Sequence, residues 1–284
     1  MPVKVRAFDP LPEQPLVSCL CVTEDRAAFL PWLLWGFDRQ EWPCRELVIV
    51  DGSSGQVDVA ERPDVRLVTV PSGSSIARKR NVALQAAAGE LVVWVDDDDW
   101  QHPRRLAWLV EALRGGRAFA GSQAAWFVDL ETSRCTPYRG GPRSVIFNSA
   151  GFRTDAVRAV AFREGVARGS DTHWMRSVEA RHVGFEVIDR DDLFFWLSHA
   201  RNISNPASRR HFPHRLDVLR SRVGTVAWGD TDDQLQALQS RLEGQLARAR
   251  TGGATGGFAT VTGGEPMRDP ARATASQSDR RSAS

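Results

Sequence analysis

The chain has 284 residues, 42% of them hydrophobic, enough for one sizeable core or a core with a smaller satellite. Its 37 Lys and Arg nearly balance 35 Asp and Glu for a net charge of +2, so charge gives no strong signal for nucleic acid or an anionic membrane. Four cysteines without Cys-x-x-Cys spacing argue against structural zinc and for free thiols in a reducing compartment.

Residues 1–15 carry charges and four prolines rather than an apolar leader, and no uninterrupted apolar run reaches membrane-spanning length. A cytoplasmic protein with an N-terminal extension is expected. From Leu16 to Leu113 short apolar runs alternate with helical periods, the pattern of βαβ units around a mostly parallel sheet. The expected strands are Val17 to Val22, Glu46 to Val50, Val65 to Val70 and Leu91 to Val95. Helices are expected over Ala27 to Phe37 and Ile76 to Ala88, and again where Leu106, Leu109, Val110 and Leu113 recur at i, i+3, i+4, i+7. Arg78-Lys79-Arg80 reads as a solvated helix face or a weak anion patch.

Beyond Arg117 the character changes. Ala118 to Leu130 and Ser144 to Phe147 read as strands around a turn-rich Glu131 to Arg143, which predicts a smaller mixed or antiparallel extension. A helix over Asp171 to Arg181 follows, then strands at Phe185 to Ile188 and Leu193 to Leu197. Arg209 to Arg222 and Thr231 to Arg250 read as amphipathic helices, and the Gly-, Ala-, Thr- and Ser-rich remainder reads as disordered. The expected division is 1–15 extension, 16–116 and 117–204 as two halves of one catalytic domain, 205–250 C-terminal helices and 251–284 tail.

Four consecutive aspartates, Asp96 to Asp99, stand where the apolar run Leu91 to Val95 stops. Two like charges 4 Å apart repel by roughly 4 kcal/mol at an effective dielectric near 20, so such a cluster protonates or finds a cation, and a hard divalent metal suits it. In an open parallel sheet, ligands collect at the carboxyl ends of the strands. Thr23-Glu24-Asp25-Arg26 and Asp51-Gly52-Ser53-Ser54 fall there too, although the first could merely cap a helix and the second is a common turn. No Gly-x-Gly-x-x-Gly or Walker A sequence follows these strands.

Val17 to Arg26, Leu47 to Ser54, Arg80-Asn81 to Gly89-Glu90 and Val95 to Trp100 occur in the order and spacing of family 2 glycosyltransferases, which the chain resembles over roughly Leu16 to Ser204. The resemblance implies an α/β GT-A fold, a Mn²⁺ or Mg²⁺ cofactor, a nucleotide-diphosphate sugar donor (UDP- or dTDP-linked), and inverting transfer to an acceptor hydroxyl. It places Thr23 and Asp51 at the nucleoside, with Asp25, Arg26 and Asp97 also at the nucleotide sugar. Arg80 matches the arginine of the family's Ala-Arg-Asn segment and would lie near the diphosphate. Asp96 and Asp98 match the Asp-x-Asp pair, Asp98 as metal ligand and Asp96 nearer the ribose. A shifted loop register would hand the ligand role to Asp97 or Asp99.

Gly169 to Arg176 resembles Gly-Glu-Asp-x-x-Trp-x-Arg, whose aspartate is generally the catalytic base, so Asp171 inherits that role; it is also a good helix N-cap. Phe194 to Ser204 resembles the family's aromatic strand followed by a histidine, which assigns His199 to the metal. Trp100 and Trp174 are the candidates for stacking on a sugar ring. Three departures stand out: one aspartate is missing after Val50, Ser170 replaces the glutamate before Asp171, and Asp97 is an extra charge. The rival readings are a catalytically silent carbohydrate- or nucleotide-binding relative and a sugar nucleotidyltransferase, whose Gly-rich phosphate loop is missing after Val22. A terpene-synthase-type aspartate motif belongs on a helix, not at a strand end.

Overall fold

A computed structural model of the protein describes residues 8–55, 57–142, 144–166, 169–182, 184–199, 202 and 211–252. Most of the expected tail, 253–284, lies outside these residues, as do 1–7 and 203–210.

Four parallel strands form one side of the larger sheet: β1 (Val17–Thr23), β2 (Arg45–Asp51), β3 (Val65–Thr69) and β4 (Leu91–Trp94). The middles of β1 and β2 and the whole of β4 are apolar, because helices cover both faces of the sheet. Leu20, Val48, Val50, Val92 and Trp94 point one way, into a core with Ala83 and Leu84 of α2 (Ile76–Ala86), Ala156 and Val157 of α4 (Thr154–Val157) and Trp174, Met175 and Val178 of α5 (Ser170–Glu179). Cys19, Leu47, Ile49, Leu91 and Val93 point the other way, onto Leu30, Leu33 and Phe37 of α1 (Leu30–Asp38) and the Leu106, Leu109, Val110, Leu113 stripe of α3 (Arg105–Arg114). At Gly89, between α2 and β4, a Cβ would lie 2.4 Å from the Leu16 carbonyl oxygen, so only glycine permits this approach of turn to strand.

Among the described residues the sheet order is β10-β6-β9-β4-β1-β2-β3, where β6 is Phe119–Gly121, β9 Gly151–Arg153 and β10 Glu186–Val187. β9 runs antiparallel to both β4 and β6. The sheet grows from β1 through β2 to β3 on one side, while β4 lies on the other. The crevice at the carboxyl ends of β1 and β4 is therefore a topological switch point.

A second sheet has the order β12-β8-β7-β11-β5, with β5 at Trp100–Gln101, β7 at Ala124–Asp129, β8 at Arg134–Arg139, β11 at Phe194–Ser198 and β12 at His214–Arg215. The expected smaller extension is this sheet, and β5 leads directly out of the acidic run into it. Trp126, Val128, Phe195 and Leu197 pack against Leu219 and Val223 of α6 (Asp217–Val223), Trp228 of α7 (Thr225–Trp228) and Leu235, Leu238 and Leu242 of α8 (Thr231–Gly252).

Local differences from the sequence reading have physical causes. Ala118 to Leu130 is two strands rather than one, since Ser122 turns the chain between sheets by bonding the Ala124 carbonyl and accepting from Ala124 N–H. β8 occupies the expected turn; it is mostly solvent-facing and contains Pro137, so it lacks alternating apolar character. Phe147 to Ser149 is a short 3₁₀ turn instead of a strand end.

Candidate active site

A cleft of about 330 Å³ opens over the ends of β1 and β4, in the size range of small-molecule sites. All four aspartates line it, and each has its own partners. Asn148 donates to Asp96 Oδ2 at 2.6 Å and to Asp99 Oδ2 at 3.1 Å. Thr23 Oγ1 donates to Asp97 Oδ2 at 2.6 Å, and Arg26 Nε lies 2.9 Å from both Asp97 oxygens. Arg26 Nη2 reaches Asp98 Oδ2 at 2.5 Å while its guanidinium stacks over Phe29, 4.1 Å from the ring centroid. His199 Nε2 approaches Asp98 Oδ2 at 3.1 Å, and Asn202 Nδ2 lies 3.4 Å from the same oxygen. Beneath the run, buried Arg105 donates to the Trp94 and Asn148 carbonyls, and Trp32 Nε1 donates to the Asp99 carbonyl.

These partners divide the run electrostatically. Burial raises Asp97 to about 6, and repulsion from Asp98 adds to this, against the Arg26 charge. Burial also raises Asp96 and, further, Asp99. On Asp98 burial acts upward as well, but the His199 hydrogen bond and the Arg26 charge outweigh it and hold the carboxyl below its ordinary value. Asp98 is thus the member of the run whose ionised form is most favoured, as a metal ligand requires. Among the described residues no group of three or more His, Cys, Asp or Glu is disposed around one metal position. An adjacent carboxylate and imidazole nonetheless fit an ion that takes one or two protein ligands and fills its shell with phosphate and water.

Asp171 lines the same cleft from the first turn of α5, which Gly169 starts in the left-handed region at φ 72°. Its Oδ1 accepts from Thr172 N–H at 2.8 Å. Arg80 is boxed by Phe147, Phe162 and Trp94, with its guanidinium carbon 4.9, 5.4 and 5.9 Å from their centroids, and its Nη1 donates to Ser170 Oγ at 3.1 Å. Thr23, Arg26, Arg80, Asp96, Asp97, Asp98 and Asp171 therefore converge on one cleft, with His199 bonded to Asp98 at its edge.

Other expected site residues lie elsewhere. Trp100 is 1% exposed, stacked on Phe195 at 4.4 Å, with Nε1 donating to Thr231 Oγ1. Trp174 is 1% exposed, stacked on Phe162 at 4.6 Å, with Nε1 donating to the Val160 carbonyl. Both rings are core, with no face left for a sugar, which corrects the stacking expectation. Asp51 is buried and holds Ser53 through its N–H and hydroxyl, and Asp25 accepts from Ser54. Neither lines the cleft. Glu24, Lys79, Asn148, Phe127 and Trp196 line it without having been anticipated. Of these, Glu24 carried a signal as part of the polar segment after β1, and Lys79 as part of the Arg78-Lys79-Arg80 run read as a solvated face or weak anion patch.

Comparisons with known proteins bear on the family and the fold. The model described as Glycosyl transferase family 2 matches residues 19–158. A search of curated proteins found no significant match. Among solved structures, S. aureus TarS 1-349 is similar at 17% identity and a TM-score of 0.53, over 64% of this chain and 60% of that one. The same protein in complex with UDP-GlcNAc gives 17% identity and a TM-score of 0.51, over 69% and 61%. The mannosyltransferase PcManGT from Pyrobaculum calidifontis, in complex with GDP-Man and Mn2+, gives 16% identity and a TM-score of 0.48 over 91% and 80%, too distant to add to the fold assignment. The match spans about 60% of the length of the TarS 1-349 structure, and at these identities the likeness is one of fold. The chain carries a glycosyl transferase family 2 domain with the GT-A fold.

Proposed function

We propose that the protein is an inverting glycosyltransferase that moves a sugar from a nucleotide-diphosphate donor, UDP- or dTDP-linked, to an acceptor hydroxyl. The observation that carries this reading is the convergence on one cleft of Asp98 with His199, of Arg80 and of Asp171. Asp98 and His199 would hold Mn²⁺ or Mg²⁺, which when bound supplies Lewis-acid neutralisation of the departing diphosphate. Arg80 adds a permanent positive charge on the side of the cleft next to Ser170. Asp171 accepts the acceptor's proton as its oxygen attacks the anomeric carbon, and a base within about 3 Å of the hydroxyl suffices. A single in-line displacement needs no protein nucleophile. The UDP-GlcNAc held by TarS belongs to the same donor class. Free thiols at Cys19, Cys21, Cys44 and Cys135 agree with a cytoplasmic site of action, and among the described residues no helix is long and apolar enough to cross a membrane.

One observation favours a second reading. The Arg26 guanidinium already pairs with both Asp97 and Asp98, as it would in a silent nucleotide-binding relative that has no use for a metal. Incubation with UDP-, dTDP- and GDP-sugars plus Mn²⁺ or Mg²⁺, followed by nucleoside diphosphate release, separates the two: turnover supports the transferase, and binding without any turnover supports the silent relative.

A further inference from the structure

The four aspartates are tied in two pairs. Asp96 and Asp99 are the ends of a tight turn, with Asp99 N–H directed at the Asp96 carbonyl across 3.4 Å, and a single amide nitrogen, Asn148 Nδ2, donates to one carboxylate oxygen of each. An amide nitrogen carries two N–H groups, so it can serve both oxygens at once. Asp97 and Asp98 are the two central residues of the turn, and both bond the Arg26 guanidinium. The ends of the turn and its tip therefore have separate anchors.

Asn148 is itself held from behind. It is 8% exposed, lies in the 3₁₀ turn Phe147 to Ser149, and its carbonyl accepts from Arg105 Nη2 at 2.5 Å. The same nitrogen donates to the carbonyl of Trp94, the last residue of β4, at 3.1 Å, and Arg105 Nη1 bonds Gln101 Oε1 in β5. Arg105 is 1% exposed, and a guanidinium so deeply buried is costly unless its donors are used. Here they join β4, β5 and the turn that carries Asn148, so one side chain fixes both strands that flank the acidic run. On the next residue, Ser149 Oγ accepts from Ser122 N–H at 2.8 Å, which fixes the turn a second time.

We propose that Asn148 is a positioning residue for the metal: by drawing Asp96 and Asp99 together it closes the turn between them and so presents the Asp98 carboxylate beside His199. The inference rests on the metal-dependent transfer proposed above. Two carboxylates brought this close repel each other, and without the shared amide that repulsion pushes the ends of the turn apart and shifts the ligand at its tip. Side chains that orient a metal ligand without touching the ion typically change metal affinity by about tenfold to a hundredfold when removed.

The test is calorimetric titration of Mn²⁺ into the full chain in the presence of UDP, for the native protein, Asn148→Leu, Asp99→Asn and the double variant. Asn148→Leu keeps the volume and removes the donor; Asn148→Ala, which cannot overfill the turn, is measured beside it, and urea unfolding confirms that each variant is folded. The expected result is a tenfold to hundredfold weaker affinity in Asn148→Leu and Asn148→Ala. The double variant is expected within about threefold of Asp99→Asn alone, because one neutral end of the turn leaves no repulsion for Asn148 to offset. Native affinity in both single Asn148 variants, or the same loss whether or not Asp99 is replaced, overturns the positioning role and leaves the metal reading standing. No Mn²⁺ binding by the native protein overturns both.

Discussion

His199 Nε2 lies 3.1 Å from Asp98 Oδ2, a contact across 101 positions of sequence that joins the end of β11 to the acidic run after β4. The histidine is braced from behind, since its backbone N–H donates to Asn202 Oδ1 at 2.6 Å and Asn202 Nδ2 reaches the Leu197 carbonyl at 3.1 Å. A carboxylate from one sheet and an imidazole from the other are thus held at the same point.

His199→Ala is expected to weaken Mn²⁺ binding at least tenfold, about 1.4 kcal/mol, without unfolding the protein. Calorimetric titration of Mn²⁺ in the presence of UDP measures it. Unchanged affinity would remove His199 from the metal.

Asp171→Asn keeps the shape of the side chain and its bond to Thr172 but cannot accept a proton. The rate of transfer should fall by about 10² to 10⁴, while donor affinity stays within a factor of two or so, because a base for the acceptor hydroxyl acts on the attacking oxygen and not on the bound donor. A variant with native turnover would eliminate Asp171 as the base.

His102 gives the fold a defined acid sensitivity. Burial lowers its pKa to about 4, with the charges of Arg190, Arg104 and Arg39 adding to the effect and Asp192 opposing it. Its Nδ1 accepts from Arg104 N–H at 3.0 Å, so the ring is neutral in the native state. In the unfolded chain the same imidazole protonates below about pH 6.5. The native state then binds fewer protons, and stability present above pH 6.5 is lost as pH falls toward 4. At pH 5 the loss is about 2 kcal/mol. The raised Asp97 carboxyl acts in the opposite direction over the same range, so the His102 contribution is read as a difference: between pH 7 and pH 5 in urea unfolding, the native protein should lose more stability than His102→Asn.

Trp174→Ala removes a ring stacked between aromatic neighbours and should cost about 3 to 5 kcal/mol in urea unfolding. Trp174→Phe should retain much of the stability and leave the Michaelis constant for donor unchanged. A variant of native stability with weakened substrate binding would return Trp174 to the sugar.

The sheet was legible because buried parallel strands are written as unbroken apolar runs, and Val17 to Val22 and Leu91 to Val95 are such runs. Clustering of the acidic run with Thr23 and Arg26 followed from strand ends alone. What sequence could not tell was the face. Trp100 and Trp174 sit beside site motifs in sequence, yet both side chains turn inward, and only the three-dimensional packing of Phe195 and Phe162 decides this. Lys79 was hidden for the opposite reason. Between two arginines on an amphipathic helix it reads as a solvated charge, and its burial depends on Glu24 and Gly52, which come from two other strand ends. β8 escaped because a solvent-facing strand with a proline carries no apolar alternation.

The central claim is that the cleft catalyses metal-dependent sugar transfer with Asp98 at the metal. Its most direct test is nucleoside diphosphate release from nucleotide sugars, screened with and without Mn²⁺, for the native protein and Asp98→Asn. The account predicts release by the native protein that depends on Mn²⁺ and falls at least a hundredfold in Asp98→Asn with the fold intact. Release that continues unchanged without divalent metal, or that survives in Asp98→Asn, would contradict it.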